Sequence, residues 1–416
     1  MNLGILKVAA VLEAADVSVE MLDLSGVENY LDAVRDHASN TDANHFGITA
    51  TTPQLPAASK IAGAIRGERP MAKIILGGPH VTLVNAASKR EVKLGNTGRA
   101  YAALGGLQEM FDVLVAGDGE RAVFQALKTQ PPTLIDADDP KSELFLDDAG
   151  LSVLPFPARH LVDVDSYNYN VEGKRALSLI AQLGCPFECG FCGGRQSPFL
   201  RRVRMRSGEN VVDEMLHIYR TYGVEGFMLY DDELNVNTQM VDLMGLIRDA
   251  QDSVGADWRL RGFIKAQLFT EDQAAAMYAA GFRWILVGFE SGSPRILENI
   301  NKRATLEDNN RCLAIARRHG LKVKALMSIG HPGESQETVS ATRDWLLEVA
   351  PDDFDITIIT TYPGTPYYDY AMPFNGQDNT WVYEYEKTGD RLYSQEVNYT
   401  QVADYYKGAP GEYRSY

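Results

Sequence analysis

Residues 185–192 read Cys185-Pro186-Phe187-Glu188-Cys189-Gly190-Phe191-Cys192. The three cysteines have C-x3-C-x2-C spacing and follow an apolar segment, 177–182 (LSLIAQ), that reads as a buried strand. Three thiolates on one short loop can grip three corners of an iron–sulfur cube, which leaves one iron without a protein ligand. Gly190, Gly193 and Gly194 let such a loop curl. A zinc site needs a fourth ligand at short spacing, and none follows Cys192; a redox pair of Cys189 and Cys192 leaves Cys185 idle. Cys312, the remaining cysteine, sits in a helical pattern (NNRCLAIARR) and reads as a small apolar residue. Arg195, Arg201, Arg202 and Arg204 lie just beyond the loop and suit anionic groups of a ligand.

Strand and helix patterns alternate after the loop. Apolar strand segments at 226–230, 257–263, 283–289, 323–329 and 355–361 are separated by helix patterns near 208–222, 239–252, 271–280, 305–319 and 335–349. With 177–182 they make six strands and five helices, the pattern of a partial (β/α)6 TIM-like barrel, whose functional residues belong at the strands' C-terminal ends. Before the loop, helix patterns at 4–15, 56–67 and about 120–128 alternate with strand patterns at 17–24, 44–50, 72–76 and 112–116. That alternation predicts a doubly wound, Rossmann-like (flavodoxin-like) sheet in an α/β protein. The expected division is 1–140 for this first domain, 141–172 for a Pro- and Asp-rich linker, 173–370 for the barrel and 371–416 for an extension. The extension carries eight tyrosines, from Tyr383 to Tyr416.

Composition narrows the function. Of 416 residues, 40 are Lys or Arg and 56 are Asp or Glu, a net charge of −16. This argues against nonspecific binding to nucleic acid or an anionic membrane, both of which need a basic face. Four cysteines in a chain this long are no disulfide scaffold. No apolar run reaches the roughly 18–20 residues of a membrane span, and Met1-Asn2-Leu3-Gly4 opens no secretory leader, so a cytoplasmic location is expected.

The cysteine motif, with an aromatic before its last cysteine, resembles the signature of the radical S-adenosylmethionine (radical SAM) enzymes. The likeness extends over about 173–370. Tyr230-Asp231-Asp232-Glu233 follows the second barrel strand, and Gly288-Phe289-Glu290-Ser291-Gly292-Ser293 the fourth. Gly330-His331-Pro332-Gly333-Glu334 follows the fifth, and Tyr362-Pro363-Gly364-Thr365-Pro366 the sixth. The resemblance implies a 4Fe-4S cluster on Cys185, Cys189 and Cys192. Its open iron would bind S-adenosylmethionine, whose reductive cleavage gives a 5′-deoxyadenosyl radical. It further implies that Asp231, Asp232 or Glu233 meets the ligand's ammonium group and that Glu290 and Ser291 meet the ribose. Phe191, Ile329 and Pro363 would lie against adenine, and Gly330 would also border S-adenosylmethionine.

Upstream, three segments resemble the cobalamin-binding domain that often precedes such a barrel. They contain Thr49 and Thr51, Gly77-Gly78-Pro79-His80, and Gly117-Asp118-Gly119-Glu120. The resemblance implies cobalamin against Thr49, Thr51, Gly77, Gly78, Pro79, His80, Gly117, Gly119 and Glu120. The Asp-x-His-x-x-Gly motif that supplies an axial histidine elsewhere is absent. The family's first strand is also missing ahead of Gly4. The implied activity is methyl transfer to a carbon centre of a small-molecule or peptide substrate, with electrons from a flavodoxin- or ferredoxin-like donor. The alternatives are a radical cyclisation or rearrangement, a radical SAM enzyme with a vestigial cobalamin domain, and a non-catalytic cofactor carrier.

Overall fold

A computed structural model describes residues 1–131, 133–375 and 380–395. Its N-terminal part is a four-stranded parallel sheet in the order β1 (His45–Thr49), β2 (Lys73–Gly77), β3 (Val113–Gly117) and β4 (Thr133–Ala137). One face buries Ile74, Leu76, Leu114 and Ala116 under α3 (Leu55–Glu68), α4 (Pro79–Lys93) and α5 (Arg99–Met110). The other buries Ile75, Val113, Val115 and Ile135 against α6 (Gly119–Lys128). Burial on both faces explains the nearly unbroken apolar runs IIL and VLVA. α1 (Leu3–Glu13) packs beside α6, and α2 (Tyr30–Asn40) against α3.

Two local expectations fail here. Residues 17–24 form no strand, and β1 is an edge of the sheet. Alternation in VSVEMLDL marks a half-buried segment, but no neighbouring strand offers it a ladder. Residues 133–137, which the expected strands of the first domain do not include, are the fourth strand, paired with β3 from Val113↔Thr133 to Gly117↔Ala137. Their apolar residues are too few to stand out from the polar surroundings.

The second part is a curled sheet of six parallel strands. They are β6 (Lys174–Leu179), β7 (Gly226–Leu229), β8 (Arg259–Ile264), β9 (Phe282–Glu290), β10 (Lys322–Ile329) and β11 (Asp353–Ile358), in sequential order, with the antiparallel β5 (Asn170–Val171) on the β6 edge. All six barrel strands expected from the sequence are present. Leu177, Leu179, Phe227, Leu229, Leu260, Ile285, Val287, Phe289 and Val323 form one core with the surrounding helices. Those helices are α7 (Gly208–Tyr222), α8 (Met240–Val254), α9 (Glu271–Ala279), α11 (Leu306–Arg318) and α12 (Gln336–Val349), while α10 (Pro294–Asn299) buries Ile296 and Leu297 in a separate small cluster. Each such side chain contributes about 1.5–3 kcal/mol on burial. Cys312 is fully buried in this core, away from the cysteine loop, as expected.

The C-terminal end of β6 is tied to α7 by a buried triad. Glu214 of α7 accepts from Arg159 at 2.6 Å and from Arg206 at 2.5 Å. Most of residues 371–395 fold too: β12 (Met372–Pro373), β13 (Thr380–Glu384) and β14 (Arg391–Gln395) form an antiparallel sheet. Tyr383 packs on Tyr367 with centroids 4.9 Å apart, and Asp390 pairs with Arg295. The tyrosines from Tyr399 to Tyr416 lie outside the described residues.

Candidate functional site

The cysteine loop closes over the barrel mouth. Asp231, just past β7, accepts the N–H groups of Ala181 and Gln182 at 2.7 and 2.6 Å; Asp232 accepts that of Gly184 at 2.8 Å. These carboxylates fix the segment that enters the loop. Gly184 has φ +86°, and a Cβ on it would lie 2.2 Å from the Arg202 carbonyl oxygen, so no other residue fits. Within the loop, backbone carbonyls are held from outside. Arg195 donates to Glu188 and Cys189, Arg201 to Pro186 at 2.6 Å, and Asn301 to Glu188 at 2.9 Å. Of the arginines just beyond the loop, three have partners within the fold. Arg195 and Arg201 brace the loop, and Arg204 forms a buried pair with Asp118 at 2.6 Å.

Cys185, Cys189 and Cys192 are all free thiols. Burial raises Cys185 above its ordinary value. Cys192 is exposed as a residue, yet crowding around its sulfur pushes it up to about 12, and the nearby sulfurs of Cys189 and Cys185 add to the shift. Among the described residues, no three His, Cys, Asp or Glu side chains gather closely enough to hold one metal ion. Sulfurs on a single zinc would stand about 3.8 Å apart. In a cube each thiolate takes its own iron, so wider spacing is what a cluster requires. Two buried ammonium groups, Lys265 and Lys302, lie close enough to Cys189 to interact with its charge. The loop and these cations fit an anionic 4Fe-4S cluster.

Beneath the loop, the strand ends enclose a cavity of about 340 Å³. Phe263, Leu286 and Leu326 supply apolar walls; Glu233, Glu290, Lys302 and Asp355 supply charge. Glu290 enters the mouth because β9 is irregular there: its register against β10 shifts between Gly288 and Glu290, and Glu290 has φ +66°. Lys302 donates to Glu290 Oε1 at 2.8 Å, and Ser328 to Oε2 at 2.8 Å. Ser328 also meets His331 Nε2 at 2.8 Å, and His331 Nδ1 meets the Tyr367 hydroxyl at 3.1 Å. Since the Ser328 proton goes to Glu290, Nε2 must donate to Ser328 and Nδ1 must accept from Tyr367. This assigns one neutral tautomer to His331. Burial lowers His331 to about 4, consistent with that assignment. Burial also tends to raise Glu290, but Lys302 and the two hydrogen bonds outweigh it and hold the carboxyl low. Glu233 has been removed from water and rises to about 7.

The residues expected around S-adenosylmethionine are not all in one place. Glu233 and Glu290 line the cavity, and Phe191 stands edge-on to His331 at 5.4 Å. Ser291 is buried, with its hydroxyl 3.0 Å from that of Thr342 and accepting the Ser293 N–H. Ile329 pairs with Ile358 in the sheet, Gly330 makes the turn after β10 with φ +94°, and Pro363 is buried beside Gly364. Lys302, Lys265 and Tyr367 were absent from the sequence-derived site. Lys302 lies in a loop with no motif and reaches the site only by folding.

At the C-terminal ends of the N-terminal strands, small residues stand in a row. Thr49 pairs with Gly77, and Gly117 ends the neighbouring strand. Glycine and threonine carry little or no side chain at these positions, which is what the close approach of a flat ring to backbone requires. Gly78 has φ +97° and starts α4 with Pro79. Thr51 caps the following turn with Gln54, and Gly119 and Glu120 begin α6. His80 turns into the fold. It is buried with Nδ1 3.0 Å from Thr52 Oγ1, and burial lowers it to about 4. The two parts meet at Leu83 of α4, which a Cβ on Gly193, one residue past Cys192, would approach to 3.0 Å.

The Radical SAM superfamily model matches residues 179–346, and the B12 binding domain model matches residues 1–105. An uncharacterized methyltransferase of Pyrococcus horikoshii is 28% identical over 80% of this chain and 70% of its own length. The anaerobic magnesium-protoporphyrin IX monomethyl ester cyclase of Cereibacter sphaeroides is 24% identical over 86% of this chain, which spans 59% of that relative. Among solved structures, the radical S-adenosylmethionine methyltransferase TsrM from Kitasatospora setae superposes with a TM-score of 0.64 at 19% identity. The match covers 87% of this chain and 71% of that one. At that identity the likeness speaks for the fold. No helix among the described residues is long and apolar enough to cross a membrane.

Proposed function

For this chain, which belongs to the radical SAM superfamily and carries a B12-binding domain, we propose cobalamin-dependent methyl transfer to a carbon centre of a small-molecule or peptide substrate. The observation that carries the reading is the meeting of the two parts. The helix that begins at Gly78-Pro79-His80 lays Leu83 against the residue following Cys192. When bound, the cluster and S-adenosylmethionine supply hydrogen-atom abstraction, and the corrinoid supplies a transferable methyl group.

In this reading Cys185, Cys189 and Cys192 hold the cluster, and Lys265 and Lys302 offset its negative charge. Glu233, recessed at the mouth, accepts from the ammonium group of S-adenosylmethionine. Glu290, fixed by Lys302 and Ser328, accepts from ribose hydroxyls, while Phe191 offers an apolar edge. Asp231 and Asp232 act behind them by holding the backbone that carries Cys185. The row of Thr49, Gly77 and Gly117 faces the corrin ring. Electrons come from a flavodoxin- or ferredoxin-like donor in the cytoplasm. Ring closure is the second reading, since one of the similar relatives bears the name of a cyclase.

Anaerobic reconstitution with iron, sulfide and hydroxocobalamin tests the proposal. About four irons and one cobalt per chain are expected, with 5′-deoxyadenosine and S-adenosylhomocysteine formed under reduction. Iron without cobalt refutes the corrinoid role, and neither metal refutes the whole reading.

A further inference from the structure

The N-terminal part holds the cysteine loop through a carboxylate. Asp138, one residue past β4, is buried. Its Oδ1 accepts from the Ser197 hydroxyl at 2.8 Å and from the Phe199 N–H at 2.7 Å. Ser197 caps the short helix 198–201, accepting the Leu200 N–H, and its own N–H reaches the Gly194 carbonyl at 2.9 Å. Leu200 in turn accepts the N–H of Cys185 at 3.0 Å. Its side chain also fills the space beside Gly194, where a Cβ would lie 2.4 Å from Leu200 Cδ1. Both ends of the loop, Cys185 and Gly194, therefore converge on the turn 197–200. A residue from another sheet holds that turn. Asp118, after β3, adds a second tie through Arg204, which donates to it and to the carbonyls of Leu146 and Phe199.

We propose that Asp138 is a positioning residue for the cysteine loop, setting from the N-terminal domain the geometry in which Cys185, Cys189 and Cys192 present their sulfurs. The proposal rests on the reading of those cysteines as cluster ligands. The chemistry asks for an acceptor rather than a charge. One oxygen takes both bonds, and the other, Oδ2, is buried with no hydrogen-bond partner among the described residues. Burial raises the carboxyl to about 6, against the pull of its two bonds. Asparagine presents the same carbonyl oxygen, whereas alanine presents none.

The test compares full-length wild type with Asp138→Ala, Asp138→Asn and Ser197→Ala after anaerobic reconstitution with iron and sulfide. Readouts are iron retained against a chelator and the electron paramagnetic resonance spectrum of the reduced cluster, with and without S-adenosylmethionine. Circular dichroism and hydroxocobalamin uptake report folding. Asp138→Ala and Ser197→Ala should hold iron roughly 10- to 100-fold more weakly, the range for groups that orient metal ligands. Their spectra should shift, and Asp138→Asn should restore both properties. A folded Asp138→Ala with wild-type iron and spectrum overturns the proposal, as does an Asp138→Asn indistinguishable from alanine. If Asp138→Ala does not fold, a wild-type-like Ser197→Ala overturns it. Wild-type protein that takes up no iron refutes the cluster reading itself, a separable result.

Discussion

Replacing Lys302 with leucine probes the buried charge pair at the barrel mouth. Lys302 and Glu290 side chains are 5% and 12% exposed and 2.8 Å apart. At an effective dielectric of about 20, unit charges at that distance attract by about 6 kcal/mol. Desolvation of both groups offsets most of this, so the pair is near neutral as a unit. Lys302→Leu removes the attraction and leaves the desolvated carboxylate behind, which costs about 3–5 kcal/mol. The sign with pH follows from Glu290. In the native protein its carboxyl is held below the ordinary value of 4.5. Its stabilisation is therefore present above that value and lost as pH falls through the lowered one. In the variant, burial is opposed mainly by the Ser328 hydrogen bond, and the carboxyl rises. The penalty should then be greatest in alkali and shrink as pH falls and the group protonates. Urea unfolding, followed by fluorescence of Trp258, Trp284 and Trp345 in the barrel, measures this near pH 8.5 and pH 5.5. Lys302→Leu with Glu290→Gln should recover most of the loss. A penalty below about 1 kcal/mol, or one equal at both pH values, refutes the argument, because breaking a buried pair should exceed the value of an exposed one.

Cys185→Ala, Cys189→Ala and Cys192→Ala should each abolish reductive cleavage of S-adenosylmethionine while hydroxocobalamin uptake persists; cleavage by any of them in a 5′-deoxyadenosine assay contradicts the cluster assignment. Glu233, raised to about 7 by desolvation, becomes the better ammonium acceptor as pH rises through that value. Binding of S-adenosylmethionine should tighten over that range, and Glu233→Gln should flatten the profile in calorimetry. Gly78→Ala places a Cβ at φ +97°, 2.6 Å from Thr49 Oγ1 and 2.9 Å from the Ala50 nitrogen. It should cost about 1–3 kcal/mol in thermal unfolding and weaken hydroxocobalamin uptake; an unchanged melting temperature speaks against strain at this turn.

The barrel was legible because the inner strands face helices on one side, and the resulting apolar runs are long enough to stand out in composition. The cysteine trio was legible because three cysteines of one loop are close in sequence. The N-terminal domain was less so. VSVEMLDL carries strand periodicity but has no partner strand, and TLIDA lacks the apolar density of its neighbours yet completes the sheet. Helices α4 and α5 were hidden by their Gly-rich entry and by alanine-rich faces, which pack well but carry little amphipathic contrast.

By itself the sequence determined the alternation of elements, the three thiols on one loop and the strand-end residues at the mouth, since local spacing and apolar period are properties of the chain. Tertiary structure decided what those residues do. Asp231, Asp232 and Glu233 are adjacent in sequence, but only Glu233 lines the cavity, while the other two hold backbone. Lys302 meets Glu290 across 12 positions, and Asp138 reaches Ser197 across 59. No pattern in the chain announces such contacts. Hydrogen bonds and ion pairs depend on distances of about 3 Å that arise only when separate elements pack.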